Sequence, residues 1–384
     1  MPLSMLWLAI ITHPMMAQAR AEGAQPRTLA DDATVTASGP NHWPTLIAAA
    51  SRVIRYLQLA GSKISRAKSV LFSTCQSVRA RMRRYTWPVL GTKIQVRLHA
   101  RDLGAHVSFG RRMFAHTAVA RYSDAMHIMN RIATLPVPPL RRLHLLCTKA
   151  LARALYAVES TPLQSAGIRS MTTAIKRCIR TGSGPVTNPR MLCLTYGPKC
   201  PDPVFIALIR RARKLRQMFH QHQYHGMISS IMYHHVCART PGTPPGDEMP
   251  EQCAKGVVAA GVLFPAHSAT EFCALGPVAL FLSSIYKLGA VMDGDFCIHA
   301  PGFPVFSLVT EAWQGIHEVL LTLHQRSVVR AVAETRQSLA PAVPIDWRGT
   351  LRYHKAWPHA RANMLRAIHA GGIWTPTRCT RPRC

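Results

Sequence analysis

The stretch PGTPPGDEMPE, from Pro241 to Glu251, constrains the fold most, because neither a helix nor a strand can run through Pro241, Pro244, Pro245 and Pro250 with Gly242 and Gly246 between them. It reads as a domain boundary. Beyond it, residues 252–384 form a more apolar region of a size that suits a small, mainly helical domain. Upstream, residues 111–180 are rich in Ala, Leu, Met and Arg, and Pro136, Pro138 and Pro139 interrupt two helical patterns as a connector would. A second break at TGSGPVTNP leads into the helical pattern Pro203 to Phe219, so residues 181–240 read as a basic helical connector. No internal repeat is present.

Residues 1–110 mix α and β patterns. Between Trp43 and Leu59, the apolar positions Leu46, Ile47, Ala50, Val53, Ile54 and Leu57 follow helical spacing, with Arg52 and Arg55 on the other face. SVLFST and TKIQVRL have strand composition. In the second, Ile94, Val96 and Leu98 alternate with Lys93, Gln95 and Arg97. RTLADDATVT, Arg27 to Thr36, places short β-prone pieces on either side of an Asp-Asp pair that can sit at a hairpin tip. The whole predicts an α+β chain, mostly helical.

Lys and Arg number 47 against 17 Asp and Glu, a formal charge of +30. Such a field concentrates polyanions, and nucleic acid is the first partner it suggests. Drift in a basic reading frame is the competing explanation. The basic residues are scattered through many segments, which fits a membrane surface or a small acidic substrate less well. The 11 cysteines form no CxxC pair, which argues against a secreted disulfide framework and a zinc ribbon and fits a reducing intracellular compartment. Met1 to Ala21 has the apolar run and small residues of a secretory signal but no positive side chain before that run. Phe272 to Ile285 is shorter than the roughly 18 residues needed to span a bilayer and reads as a buried helix.

Adjacent carboxylates on a tight hairpin suit Mg²⁺, a hard cation that takes oxygen ligands and substrate phosphates. Asp31 and Asp32 have that form, although such a pair is also an ordinary solvated turn. Pro2, Leu3 and Ser4, followed by an apolar helix, resemble the end of the reverse-transcriptase motif that closes on PLS. Leu29, Ala30, Asp31 and Asp32 resemble the family's x-Ala-Asp-Asp hairpin. GSKISRAKSVLFST resembles the segment in which these enzymes set a lysine, here Lys68, before a strand. Arg101 to Ala105 resemble the Leu-Gly element that opens the primer grip, and RALYAVESTP, Arg153 to Pro162, resembles the thumb helix end. The chain thus resembles the C-terminal part of a non-LTR, LINE-type retrotransposon reverse transcriptase. LTYGP, GPVALFLSSIYKLGAVMD and IDWRGT through GGIWT resemble the less characterised C-terminal region of one subgroup.

The resemblance implies a partial palm over residues 1–110, a helical thumb over 111–180, and then the connector and C-terminal domain. It implies RNA template and DNA primer as partners, a nuclear or cytoplasmic location without secretion or membrane insertion, and Mg²⁺ as the cofactor of the intact enzyme. Asp31 would be the metal ligand and Asp32 its helper, while Lys68 would protonate or screen the leaving pyrophosphate or else be a plain surface lysine. The family's other metal-binding aspartate, its strand and the fingers would lie upstream of Met1. The expectation is therefore no polymerase activity from this chain alone.

Arg79, Arg81, Arg83 and Arg84, next to Tyr85 and Trp87, mix charge with aromatic faces as heteroduplex and single-strand binders do, or else form a solvated basic face. Arg101 and the group Arg210, Arg211, Arg213 and Lys214 are further candidates for phosphate contacts. His220, His222, His225, His234, His235, Cys237 and Cys253 are zinc-type ligands without a supporting pair, and Cys379 and Cys384 supply only two ligands. Asp293 and Asp295 fall in the wrong order to complete the hairpin site.

Overall fold

The computed structural model describes residues 2–29, 32–65, 67–102, 105–108, 116–179, 189–194, 196–221, 224–228 and 276–335. The expected boundary at Pro241 to Glu251 lies outside these residues. The fold is mostly helical with short strands. It separates into two compact units, Met1–Gly110 and Arg111–Cys384.

In the first unit, α1 (Pro2–Ala21) runs into a hairpin of β1 (Gln25–Leu29) and β2 (Asp32–Thr36). Gly23, at φ 81°, makes the left-handed turn that ends α1, and Ala24 N–H bonds back to the Ala19 carbonyl at 3.2 Å. The hairpin register pairs Gln25 with Thr36 and Leu29 with Asp32, which leaves two residues, Ala30 and Asp31, as the connection.

Helix α2 (His42–Leu59) is the shared wall of this unit, because its apolar positions wrap around more than one face. Ala49, Val53, Tyr56 and Leu57 pack with Met15 and Ala19 of α1 and Val35 of β2. Trp43, Leu46, Ala50 and Ile54 pack instead with Leu71, Val78, Met82 and Trp87. The Tyr56 hydroxyl donates to the Ile11 carbonyl, in the turn of α1 that Pro14 weakens by lacking an amide donor.

The two expected strands shrink to β3 (Val70–Leu71) and β4 (Gln95–Val96), paired in parallel, with α3 (Gln76–Arg84) between them in sequence. Ile94 and Val96 face the core as their alternation predicts, whereas Leu98 is 37% exposed. The strand has already ended there, so its periodicity no longer applies. A hairpin of β5 (His99–Asp102) and β6 (Ala105–Ser108) closes the unit's described part.

The second unit opens with α4 (His116–Thr134), then α5 (Pro139–Leu145), a π-helical turn (Leu146–Ala150), α6 (Leu151–Ala154) and α7 (Ser165–Ile179). Pro139 sits at the start of α5, where its missing N–H is not needed. Gly167 on α7 lets the Tyr122 ring of α4 come so near that an added Cβ would lie 2.3 Å from it. After α8 (Pro189–Leu194) and a 3₁₀ turn (Gly197–Lys199) comes α9 (Pro203–Phe219). Then follow α10 (Gly276–Tyr286), the antiparallel meander β7 (Val291–Met292), β8 (Cys297–His299) and β9 (Phe306–Ser307), and α11 (Trp313–Thr335).

Helix α9, expected as a basic connector, is packed against α7, α10 and α11. Phe205, Leu208, Ala212 and Leu215 recur at helical spacing and are buried in one cluster with Met171, Phe281 and Leu320. Helix α10 is the buried helix expected from the apolar run after Phe272, with Val278, Phe281, Leu282 and Ile285 interior. At the start of α9, Asp202 accepts from Val204 N–H at 2.9 Å, an N-cap, and also from Arg190 of α8 and His324 of α11.

Candidate nucleic-acid interface

Between Asp32 and Asp102 the chain contains no carboxylate, yet it carries Arg52, Arg55, Lys63, Arg66, Lys68, Arg79, Arg81, Arg83, Arg84, Lys93, Arg97 and Arg101. Local sequence cannot neutralise this charge. Arg52 reaches back to Glu22 at 2.5 Å. Arg55, Lys63, Lys68, Arg81, Arg83, Arg84, Lys93 and Arg97 are exposed, and none of them has an ion pair with a described carboxylate. Cations without counter-charges in the protein recruit anions from solution.

On α3, Val78 and Met82 are buried, so Arg81, Arg83 and Arg84 are left in solvent at the helix C-terminus. Basic side chains there also favour the helix dipole. Arg79 is different, because its Nη1 donates to the Ser73 and Thr74 carbonyls at 2.7 and 2.9 Å and closes the turn into α3. Its expected phosphate contact therefore competes with a structural one. Tyr85 and Trp87 are not base platforms. Trp87 is fully buried, and Tyr85 stands edge-on between it and Trp43, with centroids at 5.3 and 5.5 Å. Both rings belong to the core.

Asp32 is the exposed first residue of β2, and Asp31 lies outside the described residues. Lys68 is exposed in the turn before β3, with its amide bonded to the Ser65 carbonyl at 3.2 Å. Arg101 is in β5 opposite His106, and its side chain is outside the described set.

In α9, the four expected cations separate by role. Arg211 is 1% exposed; its Nε donates to the Val158 carbonyl at 3.1 Å, its Nη2 to the Thr161 carbonyl at 3.1 Å and its Nη1 to Ser284 Oγ at 2.7 Å. It is a structural residue and cannot reach a phosphate. Arg210 donates to the Leu155 carbonyl at 2.9 Å, Arg213 lies over the Trp313 ring at 4.9 Å, and Lys214 is exposed. Arg216 caps the Leu308 and Glu311 carbonyls, and Arg326 the Pro301 carbonyl. A share of the basic composition thus serves to satisfy loop carbonyls, a use that sequence does not distinguish from ligand binding.

Of the histidine run, His220 is exposed at the C-terminus of α9, and His225 stacks on Phe219 and donates to its carbonyl. His222, His234, His235, Cys237, Cys253, Cys379 and Cys384 lie outside the described residues. Among the described residues no three His, Cys, Asp or Glu side chains converge on a metal position, and no helix is long and apolar enough to cross a membrane. Asp293 organises its own turn: Oδ1 accepts from Asp295 and Cys297 N–H at 3.0 and 2.8 Å, and Oδ2 from His299 Nε2 at 2.7 Å.

The thiols divide by environment. Cys75, exposed at the N-cap of α3, has its pKa lowered by a hydrogen bond from Ser77 and by the Val78 and Ser77 amides. Burial pushes Cys178 up to about 11, and raises Cys193 and Cys200 well above the ordinary thiol range.

No known protein family, curated protein or solved structure matches this chain.

Proposed function

We propose that this chain binds RNA or DNA through the exposed cations of its first unit, as part of a reverse-transcriptase-type machinery. One observation carries the reading: a folded segment of the chain from Ala33 to Arg101 has no carboxylate and presents Arg81, Arg83, Arg84, Lys93 and Arg97 to solvent. Binding of this kind is driven by release of counterions from the phosphate backbone. It tolerates any sequence and either sugar.

The hairpin that ends at Asp32 supports the second part of the reading. Asp31 directly precedes the exposed Asp32 in sequence, and hard carboxylate oxygens suit Mg²⁺. Bound there, the ion would stabilise charge on phosphate oxygens. Asp31 would ligate it, Asp32 would support the ligation, and Lys68 would screen a leaving pyrophosphate. Two-metal chemistry needs more oxygen ligands than this pair provides, so for the chain alone the proposed activity is binding.

The test is photo-crosslinking of the full chain to an RNA–DNA heteroduplex, with the attached peptides read by mass spectrometry. Crosslinks concentrated between Lys63 and Arg97 are expected. Replacing Mg²⁺ by Fe²⁺ under peroxide should cut the backbone near Asp31. Crosslinks spread evenly over both units, with no cut near Asp31, would overturn both parts.

A further inference from the structure

Helix α1 carries two apolar stripes, and one of them faces solvent. Met15 and Ala19 pack with Ala49 and Val53 of α2. Trp7, Ile10 and Ile11, at spacing i, i+3 and i+4, point away from α2 and are exposed by 63%, 53% and 49%. Pro14 continues the row, and from Trp7 to Gln18 the helix contains no Lys, Arg, Asp or Glu.

A further residue joins this row from α2. The two helices run antiparallel: a Cβ on Gly23, just past α1, would lie 3.9 Å from the Thr45 methyl, and the Tyr56 hydroxyl donates to the Ile11 carbonyl. Continued by one turn, that register sets Trp7 level with Leu59 and Ala60. Leu59 is 89% exposed, and helical spacing places it on the same face of α2 as Arg52 and Arg55. Arg52 reaches Glu22 beyond the end of α1, so this face of α2 adjoins α1. Single exposed apolar side chains are ordinary, but a continuous row of them marks a contact surface.

The charges beside the row say what it contacts. Arg55, one turn before Leu59, and Lys63, just beyond the helix end, are exposed and make no ion pair with a described carboxylate. A second copy of the chain would bring like charges together. Trp7 and Leu59 project outwards instead of lining a groove, and a fluid surface needs no matching shape. Trp is a side chain that settles at the level of lipid headgroups, where neighbouring cations meet anionic lipids.

We propose that the first unit docks on an anionic lipid surface, with Trp7, Ile10, Ile11 and Leu59 entering the headgroup boundary and Arg55 and Lys63 contacting lipid phosphates. Helix α1 lies along such a surface and does not cross it. In the sequence the cations are scattered and form no juxtamembrane cluster; the fold sets two of them beside an apolar row. The inference goes beyond nucleic-acid binding and does not depend on it.

The test uses the full chain and vesicles of phosphatidylcholine with or without phosphatidylserine, at low and high salt. Sedimentation with the vesicles measures binding, and quenching of tryptophan emission by brominated acyl chains measures entry. Binding is expected to need phosphatidylserine, and part of it should survive high salt, because apolar contact is not screened. Trp7→Phe should keep binding and remove most of the quenching. Trp7→Ser/Ile10→Ser/Ile11→Ser, at exposed sites, should keep the parent's circular dichroism and bind about 10-fold or more weakly at high salt. Binding that high salt abolishes, or that the triple replacement leaves unchanged, would reduce the contact to adsorption by charge and overturn the proposal. Quenching that persists in Trp7→Phe would overturn it as well. A parent dimer by light scattering that the triple replacement dissociates would assign the face to a second copy instead. The proposed function stands in each of these cases.

Discussion

The carboxylate of Asp202 and the imidazole of His324, 122 residues apart in sequence, meet at 3.1 Å in the interior of the second unit, both side chains fully buried. Arg190 Nε donates to the same carboxylate at 2.9 Å, and Val204 N–H to its other oxygen. One residue therefore ties α8, α9 and α11 together. A buried carboxylate left with fewer partners would be strongly unfavourable, so its three donors are needed as a set.

Asp202→Ala removes a shared acceptor and leaves a buried imidazole and a partly buried guanidinium without it. The expected loss is about 3 kcal/mol, the lower end for breaking a buried pair because Arg190 is partly exposed. Urea unfolding followed by circular dichroism measures it. A loss under about 1 kcal/mol would mean that the three helices are held by apolar packing alone.

The same site sets an acid limit. Burial alone would raise the Asp202 pKa, but the hydrogen bond and charge of His324 and the charge of Arg190 outweigh it and hold the carboxyl far below the ordinary range. The unfolded chain takes up a proton near pH ~3.9, and the folded chain resists it. The stabilisation is therefore present above about pH 4 and is lost as pH falls below it towards the folded value. Unfolding free energy measured from pH 5 to pH 2 should drop, and Asp202→Asn should flatten that drop. An equal acid slope in Asp202→Asn would contradict the assignment.

Alkylation should discriminate among the thiols. Among the described thiols Cys75 is exposed and more acidic than an ordinary thiol, so iodoacetamide at neutral pH should label it before the others of that set. Cys178, Cys193 and Cys200 are buried, and should be labelled only with denaturant present. Early labelling of Cys193 or Cys200 in the native protein would show that the α8–α9 turn opens readily.

Gly167→Ala sets two effects against each other. Alanine in a helix gains about 1 kcal/mol over glycine in propensity. The new methyl, 2.3 Å from the Tyr122 ring, must displace that ring, and overpacking costs about 1–3 kcal/mol. Net destabilisation is expected, relieved when Tyr122→Leu is combined with it. Thermal melts of the single and double variants decide the sign.

Helices α2 and α9 were legible in the sequence because their buried positions repeat at 3.6 residues, a signal carried within one element. The hairpin closing on Asp32 was legible from its turn composition. The reading of Tyr85 and Trp87 as exposed faces failed because an aromatic beside a basic run has the same local pattern whether it points to solvent or to Trp43 and Met82. Arg211 failed for a similar reason. Its partners Val158, Thr161 and Ser284 lie 53, 50 and 73 residues away, and no periodicity reports a contact of that range. Asp202 went unnoticed because its role depends on α8 and α11 being folded around it.

The most direct test of the account is the slope of log affinity against log salt for the full chain on an RNA–DNA heteroduplex, compared with Arg81→Ala/Arg83→Ala/Arg84→Ala. Removing each phosphate-binding arginine should lower the slope by about 0.9, so a decrease of about 2 to 3 is predicted while the fold stays intact by circular dichroism. A shallow slope in the parent chain, or one that the triple replacement leaves unchanged, would contradict the claim that the first unit's unpaired cations bind nucleic acid.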